Sequence, residues 1–497
     1  MKSLHPDTID QAASAVRRFG YDRSRLATGI VHLGLGAFHR AHQALYTEAA
    51  IARGDLRWGV AGVHLRGRRM ADALAAQGLL YSVTERGAGE PATRIVGALR
   101  AAWFAPEQLA TVLAALADPG VAVVTTTVTE KGYAPRPADG ALDFQDPDIA
   151  HDLAHPEAPR STLGLLAAGI AARAADAPLT LLCCDNMASN GDSLRRLLLQ
   201  YAEAVNPALA RRIDAEIAFP NTMVDRIVPA ATPESLDWAA SRLGLRDEAA
   251  LVCEPFSQWV IEDRFAAARP EWEAGGALFT SDVRPFQALK LSLLNGSHSA
   301  LAYLGQLRGR ETVAEAMADA PLAAFVRRLM VDDLLPGLER PAGLDVPGYC
   351  RALIERFENP ALGHRTRQIA SDGSQKVPVR WLPALRRAAG TERPWLERAL
   401  AAWLHYLCEE RDEAGRALVI ADPGAPMLAA RLRAAGSARA AVAAALDALG
   451  MADSGAALSD RLARHLATLR NGGTTALFGR GIDASAATPP QPGGILP

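Results

Sequence analysis

The sequence predicts an α/β fold in which a mainly parallel, doubly wound sheet is followed by a mostly α-helical domain. Between about residues 29 and 230, short apolar runs alternate with helical stretches, as in parallel sheets covered by helices. From roughly residue 286 onward, alanine and leucine recur with helical periodicity. We therefore expect a doubly wound sheet domain over 1–285 and a mostly helical domain over 286–483. The Pro-, Gly- and Ala-rich tail over 484–497 is expected to be disordered.

The first predicted strand leads directly into a glycine turn. The stretch GIVHLGLGAFHR, residues 29–40, joins an apolar run to Gly34-Leu35-Gly36 and then to a stretch that could open a helix. This order presents backbone N–H groups to a dinucleotide pyrophosphate, as in a Rossmann-like domain. The third glycine of the GxGxxG pattern is missing, because His39 stands in its place. On these residues alone, a tight turn without a ligand stays an equal alternative.

The second predicted strand, WGVAGVHL over residues 58–65, bears on the choice of cofactor. An acidic residue that binds the ribose 2′-hydroxyl of NAD is expected after it, but the chain has Arg66, Arg68 and Arg69. These arginines either begin a solvated helix or pair with the 2′-phosphate of NADP. Two further runs, VAVVTTTVTE (121–130) and LTLLCCDN (179–186), continue the predicted sheet.

A downstream stretch, KLSLLNGSH over residues 290–298, gathers three polar side chains. On an α-helix at 100° per residue, Lys290, Asn295 and His298 lie at about 0°, 140° and 80°, on one shared face. Burial turns a lysine into a general base, and a nearby amide can donate to a developing oxyanion. Oxidation of an alcohol to a ketone needs this pair. A polar stripe that faces solvent is the alternative interpretation.

Composition limits the classes of function. Charged residues make up 22% and the formal net charge is −2, so no nucleic-acid or membrane partner is expected. The N-terminus lacks the apolar core of a signal peptide and no apolar run could span a bilayer, which predicts a cytoplasmic protein. The five cysteines have no CxxC spacing and are expected to be reduced thiols with a structural role. The oligomeric state stays open, and a monomer is compatible with the sequence.

Six motifs occur in an order known from one family. They are GAFHRAHQA (36–44), TVTEKGY (127–133), CCDNMASNG (183–191), FPNTMVDRIVPAATPE (219–234), CEPFSQWVIED (253–263) and KLSLLNGSHS (290–299). Over residues 28–480 the chain resembles the polyol-specific long-chain dehydrogenase/reductases, the mannitol dehydrogenase family. The resemblance implies an NAD-dependent enzyme that interconverts a secondary alcohol and a ketone without a metal.

The resemblance also implies roles for individual residues. Lys290 would be the catalytic base, Asn186 and Asn295 would polarise the carbonyl, and His298 would bind substrate hydroxyls. Asp225 would help to set the polar geometry of the site. The implied cofactor contacts are Ile30, Val31, Gly34, Leu35, Gly36, Ala37, Phe38 and Arg66. The implied role of His39 and His42 is to support the turn rather than to bind a metal.

One position departs from the family pattern. Many relatives carry a glutamate three residues before the lysine, where it assists proton transfer to solvent, but this chain has Gln287. Glu130, the other carboxylate of that relay, is present. We expect a proton route that is altered or that relies on Glu130.

The implied substrate is a linear sugar acid. The stretch RFENPALGHRTRQIASDGSQKVPVR (356–380) resembles the branch that interconverts D-mannonate and D-fructuronate. The substrate carboxylate would need a cation nearby. The candidates are Lys131, Arg365, Arg367 and Lys376, of which Lys376 matches a position that is also used with neutral polyols.

Two alternatives to this proposed function stay open. The stretches GVHLRGRRMADALAAQG and NGGTTALFGRG look more like the mannitol branch, so interconversion of D-mannitol and D-fructose is the first alternative. A non-catalytic nucleotide-binding sensor is the second, since a dinucleotide fold can outlive its catalysis. The presence of all four proposed catalytic residues, Lys290, Asn186, Asn295 and His298, favours an enzyme.

Overall fold

The computed structural model describes residues 1–87, 89–136, 139–387, 391–451 and 456–479, and the tail predicted over 484–497 lies outside them. The chain divides into two compact units, Met1–Arg284 and a second that begins at Pro285. The first unit carries the sheets and the second is helical. The predicted fold class, a parallel sheet domain followed by a mostly helical domain, is therefore confirmed.

A parallel sheet forms the centre of the first unit. The strands of this unit are β1 Thr28–Leu33, β2 Gly59–His64, β3 Tyr81–Glu85, β4 Ala92–Val96, β5 Leu99–Phe104, β6 Val123–Thr126, β7 Leu179–Cys183, β8 Ile217–Ala218, β9 Thr222–Asp225, β10 Leu251–Cys253, β11 Gln258–Glu262 and β12 Leu278–Thr280. Six of them pair in the order β5-β2-β1-β6-β7-β8, and the pairings are parallel. Two three-stranded sheets, β10-β3-β4 and β12-β11-β9, were not foreseen from the sequence.

Helices cover this sheet. They are α1 Ala37–Ala41, α2 Gln43–Ile51, α3 Arg69–Ala76, α4 Ala105–Ala117, α5 Pro147–Ala154, α6 Thr162–Ala172, α7 Asn190–Val205, α8 Pro207–Glu216 and α9 Pro233–Leu243. Successive residues of β1 point to opposite faces, so Val31 and Leu33 pack into one hydrophobic core and Ile30 into the other. Burial on both faces explains why this strand reads as a continuous apolar run.

The second unit is built from helices. They are α10 Arg284–Leu289, α11 Ser297–Leu307, α12 Val313–Ala318, α13 Ala320–Arg328, α14 Val346–Glu358, α15 Thr366–Ala370, α16 Gly373–Arg380, α17 Leu382–Arg387, α18 Pro394–Tyr406, α19 Ala425–Ala434, α20 Ala438–Ala448 and α21 Ala456–Phe478. Two π-helices, Lys290–Gly296 and Leu329–Leu334, continue α10 and α13. Across the described ranges, no helix is both long and apolar enough to cross a membrane.

Candidate active site

A cleft opens in the first unit at the carboxyl ends of β1 and β6. The strand order reverses between these two strands, and ligands of open parallel sheets bind at such a point. The cleft has a volume of about 1340 Å³. Its lining includes residues 34–37 after β1, 64–67 at the end of β2, and 127–128 and 131–132 after β6.

Gly34 allows the chain to turn tightly at the end of β1. Its φ is +94°, and a Cβ at this position would lie 2.3 Å from the carbonyl oxygen of Thr127. The N–H groups of Gly34 and Leu35 both donate to the Val63 carbonyl, which holds the turn against β2. Gly36 then caps α1. This close backbone approach fits a dinucleotide pyrophosphate.

His39, which stands at the position of the missing third glycine, stacks on a second histidine. His39 is buried, and its ring lies 3.5 Å from that of His32 in β1, measured between centroids. Burial lowers the pKa of His39 well below its ordinary value, so the ring is neutral. Nδ1 of His32 lies 2.7 Å from Thr125 Oγ1, and Nε2 of the same ring lies 3.1 Å from the Gly34 carbonyl oxygen. His32 thus ties the glycine turn to β6, a role that the sequence did not reveal.

Some of the predicted cofactor contacts in the glycine stretch line the cleft, and others pack elsewhere. Ile30 and Val31 pack into the cores on either side of the sheet, and Phe38 stacks on His42 at 4.9 Å. Of the predicted cofactor contacts in this stretch, Gly34, Leu35, Gly36 and Ala37 line the cleft. Ile30, Val31 and Phe38 are not among the described residues that line it.

The structure places His42 against the backbone of another strand, with Nε2 at 2.9 Å from the Gln258 carbonyl oxygen. The described residues contain no group of three or more His, Cys, Asp or Glu side chains arranged to hold a metal.

The three arginines after β2 have different surroundings. Arg68 donates to Asp72 and Glu107, with closest distances of 3.0 and 2.7 Å. Arg66 and Arg69 are exposed and line the cleft. Of the three arginines, Arg68 is therefore already paired with carboxylates, whereas Arg66 and Arg69 line the cleft.

The turn after β6 carries Glu130 and Lys131 and is held by Asp185. The Asp185 carboxylate accepts hydrogen bonds from the Thr129 N–H at 2.7 Å and the Tyr133 hydroxyl at 2.6 Å. Thr129 has φ 67° and ψ 160°, a backbone conformation that is essentially restricted to glycine. Burial raises the pKa of Asp185. Glu130 and Lys131 are both exposed.

Asn186 follows Asp185 at the end of β7 and is exposed. The loop that contains Asn186 is fixed by Asn190, whose amide donates to the carbonyls of Cys183 and Asp185. The side-chain oxygen of Asn190 accepts the N–H of Thr222, the first residue of β9, at 2.8 Å. Buried Asp225 ends the same strand, so the loop of Asn186 and the strand of Asp225 are joined within the first unit.

Lys290, Asn295 and His298 lie in the second unit, and their helix differs from the predicted one. Residues Lys290–Gly296 form a π-helix rather than an α-helix, so the angles calculated at 100° per residue are wrong. In a π-helix each N–H bonds to a carbonyl five residues back, so residues five apart lie closer together around the helix axis than they do in an α-helix. Asn295 is therefore closer to the side of Lys290 than an α-helix would bring it. Lys290 is buried and Asn295 is half-buried.

His298 is buried in the first turn of α11. Its ring lies 4.6 Å from that of Phe357 and 5.1 Å from that of His364, measured between centroids. Burial, with smaller contributions from His364 and two arginines, lowers the pKa of His298 well below its ordinary value. Its Nε2 has no hydrogen-bond partner among the described residues. A neutral imidazole in this position can donate one hydrogen bond and accept another.

The basic residues of the second unit that were predicted to pair with the substrate carboxylate differ in their contacts. The Lys376 ammonium donates to the Ser371 carbonyl at 2.7 Å, and burial lowers its pKa. Arg365 is exposed and pairs with exposed Glu311 at 3.0 Å. Arg367 is exposed as well. Gln287 lies half-buried in α10, three residues before Lys290.

Comparison with known proteins identifies the family. Residues 28–274 match the mannitol dehydrogenase Rossmann domain, and residues 282–468 match the mannitol dehydrogenase C-terminal domain. A D-mannonate oxidoreductase of Escherichia coli (strain K12) is 44% identical over 425 residues, which cover 84% of this chain and 87% of that protein.

Two solved structures are similar over nearly the whole chain. A D-sorbitol dehydrogenase in substrate-free form is 32% identical with a TM-score of 0.89, covering 96% of this chain and 100% of that one. Pseudomonas fluorescens mannitol 2-dehydrogenase, in a ternary complex with NAD and D-mannitol, is 36% identical with a TM-score of 0.81, covering 96% and 99%. The chain therefore belongs to the mannitol dehydrogenase family of NAD-dependent oxidoreductases that act on CH–OH groups.

Proposed function

We propose that the chain interconverts D-mannonate and D-fructuronate with NAD, and that Lys290 is the general base. The observation that carries the choice of substrate is the 44% identity to a D-mannonate oxidoreductase over 84% of the chain. The identity to the mannitol 2-dehydrogenase of known structure is lower, at 36%. The burial of Lys290 in a π-helix supports its role, because a desolvated amine gives up its charge more readily.

The proposed reaction divides the work between cofactor and protein. The glycine turn at residues 34–36 would hold NAD, and the bound cofactor would accept the hydride that leaves the carbinol carbon. Lys290 takes the hydroxyl proton as the carbonyl forms. Asn295 donates a hydrogen bond to the developing oxyanion, and we give Asn186 the same role. Neutral His298 binds a substrate hydroxyl, because its ring can donate as well as accept.

We propose that the proton leaves Lys290 by a route that does not use residue 287. An amide such as that of Gln287 cannot take up a proton near neutral pH, whereas a carboxylate can. Glu130 is exposed, so its carboxylate can exchange protons with water. A Glu130→Gln variant should slow proton release, and a solvent deuterium isotope effect on kcat equal to that of the wild type would contradict this role.

We also propose that Lys131 pairs with the substrate carboxylate. Lys131 is exposed and lines the cleft, whereas Arg365 already has a carboxylate partner in Glu311. Asp225 and Lys376 are proposed to bind the polyol chain, which is common to sugar acids and neutral polyols. Lys131→Met should lower the ratio of kcat/KM on D-mannonate to that on D-mannitol, and Arg365→Met should leave the ratio unchanged.

D-Mannitol is the second candidate substrate. It is favoured by the likeness to the mannitol 2-dehydrogenase complex, which covers 96% of this chain. The test is the rate of nicotinamide reduction with D-mannonate, D-altronate, D-mannitol and D-arabinitol, each with NAD and with NADP. We expect the highest kcat/KM for D-mannonate with NAD. Activity on D-mannitol with none on D-mannonate would transfer the proposal to the polyol, and binding of NAD without turnover of any substrate would favour a sensor.

A further inference from the structure

Two side chains from one helix end donate hydrogen bonds to the π-helix Lys290–Gly296. The Arg380 guanidinium donates to the carbonyl oxygen of Asn295 at 3.2 Å. The Trp381 indole N–H donates to the carbonyl oxygen of Gly296 at 3.0 Å. Because Arg380 ends α16 and Trp381 follows it, one short segment contacts two consecutive carbonyls of the π-helix.

These carbonyls lie where the hydrogen-bond spacing of the helix changes. Within the π-helix the backbone bonds span five residues, but at its end the N–H of Ser297 donates to Leu294, only three residues back. Such a change within one turn draws some carbonyls away from the helical ladder, and side-chain donors can satisfy them. Arg380 also reaches one turn further, to Ser299 Oγ at 2.8 Å. The guanidinium therefore joins the end of the π-helix to the start of α11.

The surroundings of Trp381 make its hydrogen bond hard to replace. The side chain is fully buried, so water cannot substitute for the indole N–H without rearrangement. The absence of a side chain at Gly296 also keeps this contact open. A Cβ at that position would lie 3.4 Å from the indole nitrogen and 3.2 Å from Leu334 Cδ1.

Resting on the proposed role of Lys290 as base, we infer that Arg380 and Trp381 are positioning residues for the reaction. They hold residues 290–296 in π spacing, which brings Asn295 toward the side of the helix that carries Lys290. In an α-helix, residues five apart are separated by about 140° around the axis. Loss of the donors lets the segment relax toward this α spacing, and the Asn295 amide then turns away from the Lys290 amine. Neither residue needs to touch the substrate.

The test compares two tryptophans of the same unit. Trp381→Phe removes an indole N–H that donates to the π-helix. Trp403→Phe removes the same group from another fully buried tryptophan, whose N–H has no hydrogen-bond partner among the described residues. The two variants lose the same ring volume, so they control for packing. The measurements are kcat, KM, the Kd of NAD, and the isotope effect on kcat with D-mannonate deuterated at the oxidised carbon.

We expect Trp381→Phe to lower kcat by about 10²-fold, because a displacement of about 1 Å in a catalytic group has an effect of this size. Its isotope effect should rise as the chemical step becomes slower, and its Kd for NAD should stay at the wild-type value. Trp403→Phe should keep the wild-type kcat and isotope effect. A loss of folded enzyme alone would lower kcat and leave the isotope effect unchanged, and that result for Trp381→Phe would overturn the inference.

Further measurements keep the inference separate from the proposed function. If Trp381→Phe does not fold, Arg380→Met is measured in the same way with the same expectation. If the wild type oxidises D-mannitol instead of D-mannonate, the proposed substrate is wrong and the comparison is made with deuterated D-mannitol. A crystal structure of the folded variant gives a readout without activity. Alpha spacing over residues 290–296 is expected, and retained π spacing would overturn the inference.

Discussion

Asp185 is a single residue on which the turn after β6 depends. It accepts the N–H groups of Val128 and Thr129 and the hydroxyl of Tyr133. Thr129 holds a strained backbone conformation, which persists only when neighbouring groups enforce it. The turn could not be predicted from the sequence, because the carboxylate acts across 56 residues of chain. No local pattern signals such a contact.

Asp185→Asn should therefore destabilise the protein and loosen this turn. The amide NH₂ faces donors that the carboxylate accepted, so we expect the free energy of unfolding to fall by about 1–3 kcal/mol. Adding Thr129→Gly should recover part of this loss, because glycine adopts the turn conformation without strain. The matched control is Asp118→Asn, which alters an exposed carboxylate that accepts the N–H of Gly120. Urea unfolding measures each variant, and equal stability of Asp185→Asn and the wild type would refute the role of Asp185.

The arginines after β2 give a second prediction for single residues. We expect Arg66→Ala and Arg69→Ala to lower kcat/KM with NADP by about tenfold, since each removes a cation available to the 2′-phosphate. The values with NAD should change little. Arg68→Ala is the internal control, because its guanidinium is occupied by Asp72 and Glu107. A loss of NADP activity in Arg68→Ala alone would show that this assignment is wrong.

The elements show what local sequence patterns can reveal. The strand and glycine turn at residues 29–36 were predicted correctly, because apolar residues and glycines mark them within one short segment. The π-helix was not predicted, since its carbonyls are bound by side chains 85 residues further along the chain. His39 has one feature that the local sequence shows and one that it does not. Its position after the turn was noted from the sequence, but its stacking on His32 became clear only from the structure.

The packing of α1 on β1 predicts how stability depends on pH. Buried His39 stays neutral in the folded state, next to His32, His42 and Arg40, whereas in the unfolded chain it binds a proton below its ordinary pKa of 6.5. The unfolded state thus gains protons as the pH falls, and folding loses stability below about pH 6.5. A His39→Phe variant lacks this penalty. From pH 8 to pH 5 its free energy of unfolding should improve by about 2 kcal/mol relative to the wild type.

Urea unfolding at the two pH values measures this difference. Subtracting the wild-type values removes the contribution of other groups that titrate in the same range, such as Glu48, whose pKa burial raises to about 7. An identical pH dependence for His39→Phe and the wild type would mean that His39 takes up a proton in the folded state.

At the scale of the whole molecule, the sequence predicted the order of fold classes and the family. Alternating apolar runs predicted the parallel sheet, and alanine-rich periodicity predicted the helical second unit. The six motifs predicted the family, which the matches over residues 28–274 and 282–468 confirm. The small sheets β10-β3-β4 and β12-β11-β9 were missed, because their strands of three to five residues carry too little periodic signal.

The central claim, that Lys290 removes the hydroxyl proton, is tested most directly by the kinetics of Lys290→Ala. With D-mannonate and NAD, we expect kcat to fall by about 10²–10⁴-fold, the range attributed to a general base. The Kd of NAD should stay near the wild-type value, because the glycine turn that we propose as its binding site does not include Lys290. Added methylamine should restore part of the activity by acting as an external base. A kcat within a few fold of the wild type would contradict the assignment of Lys290.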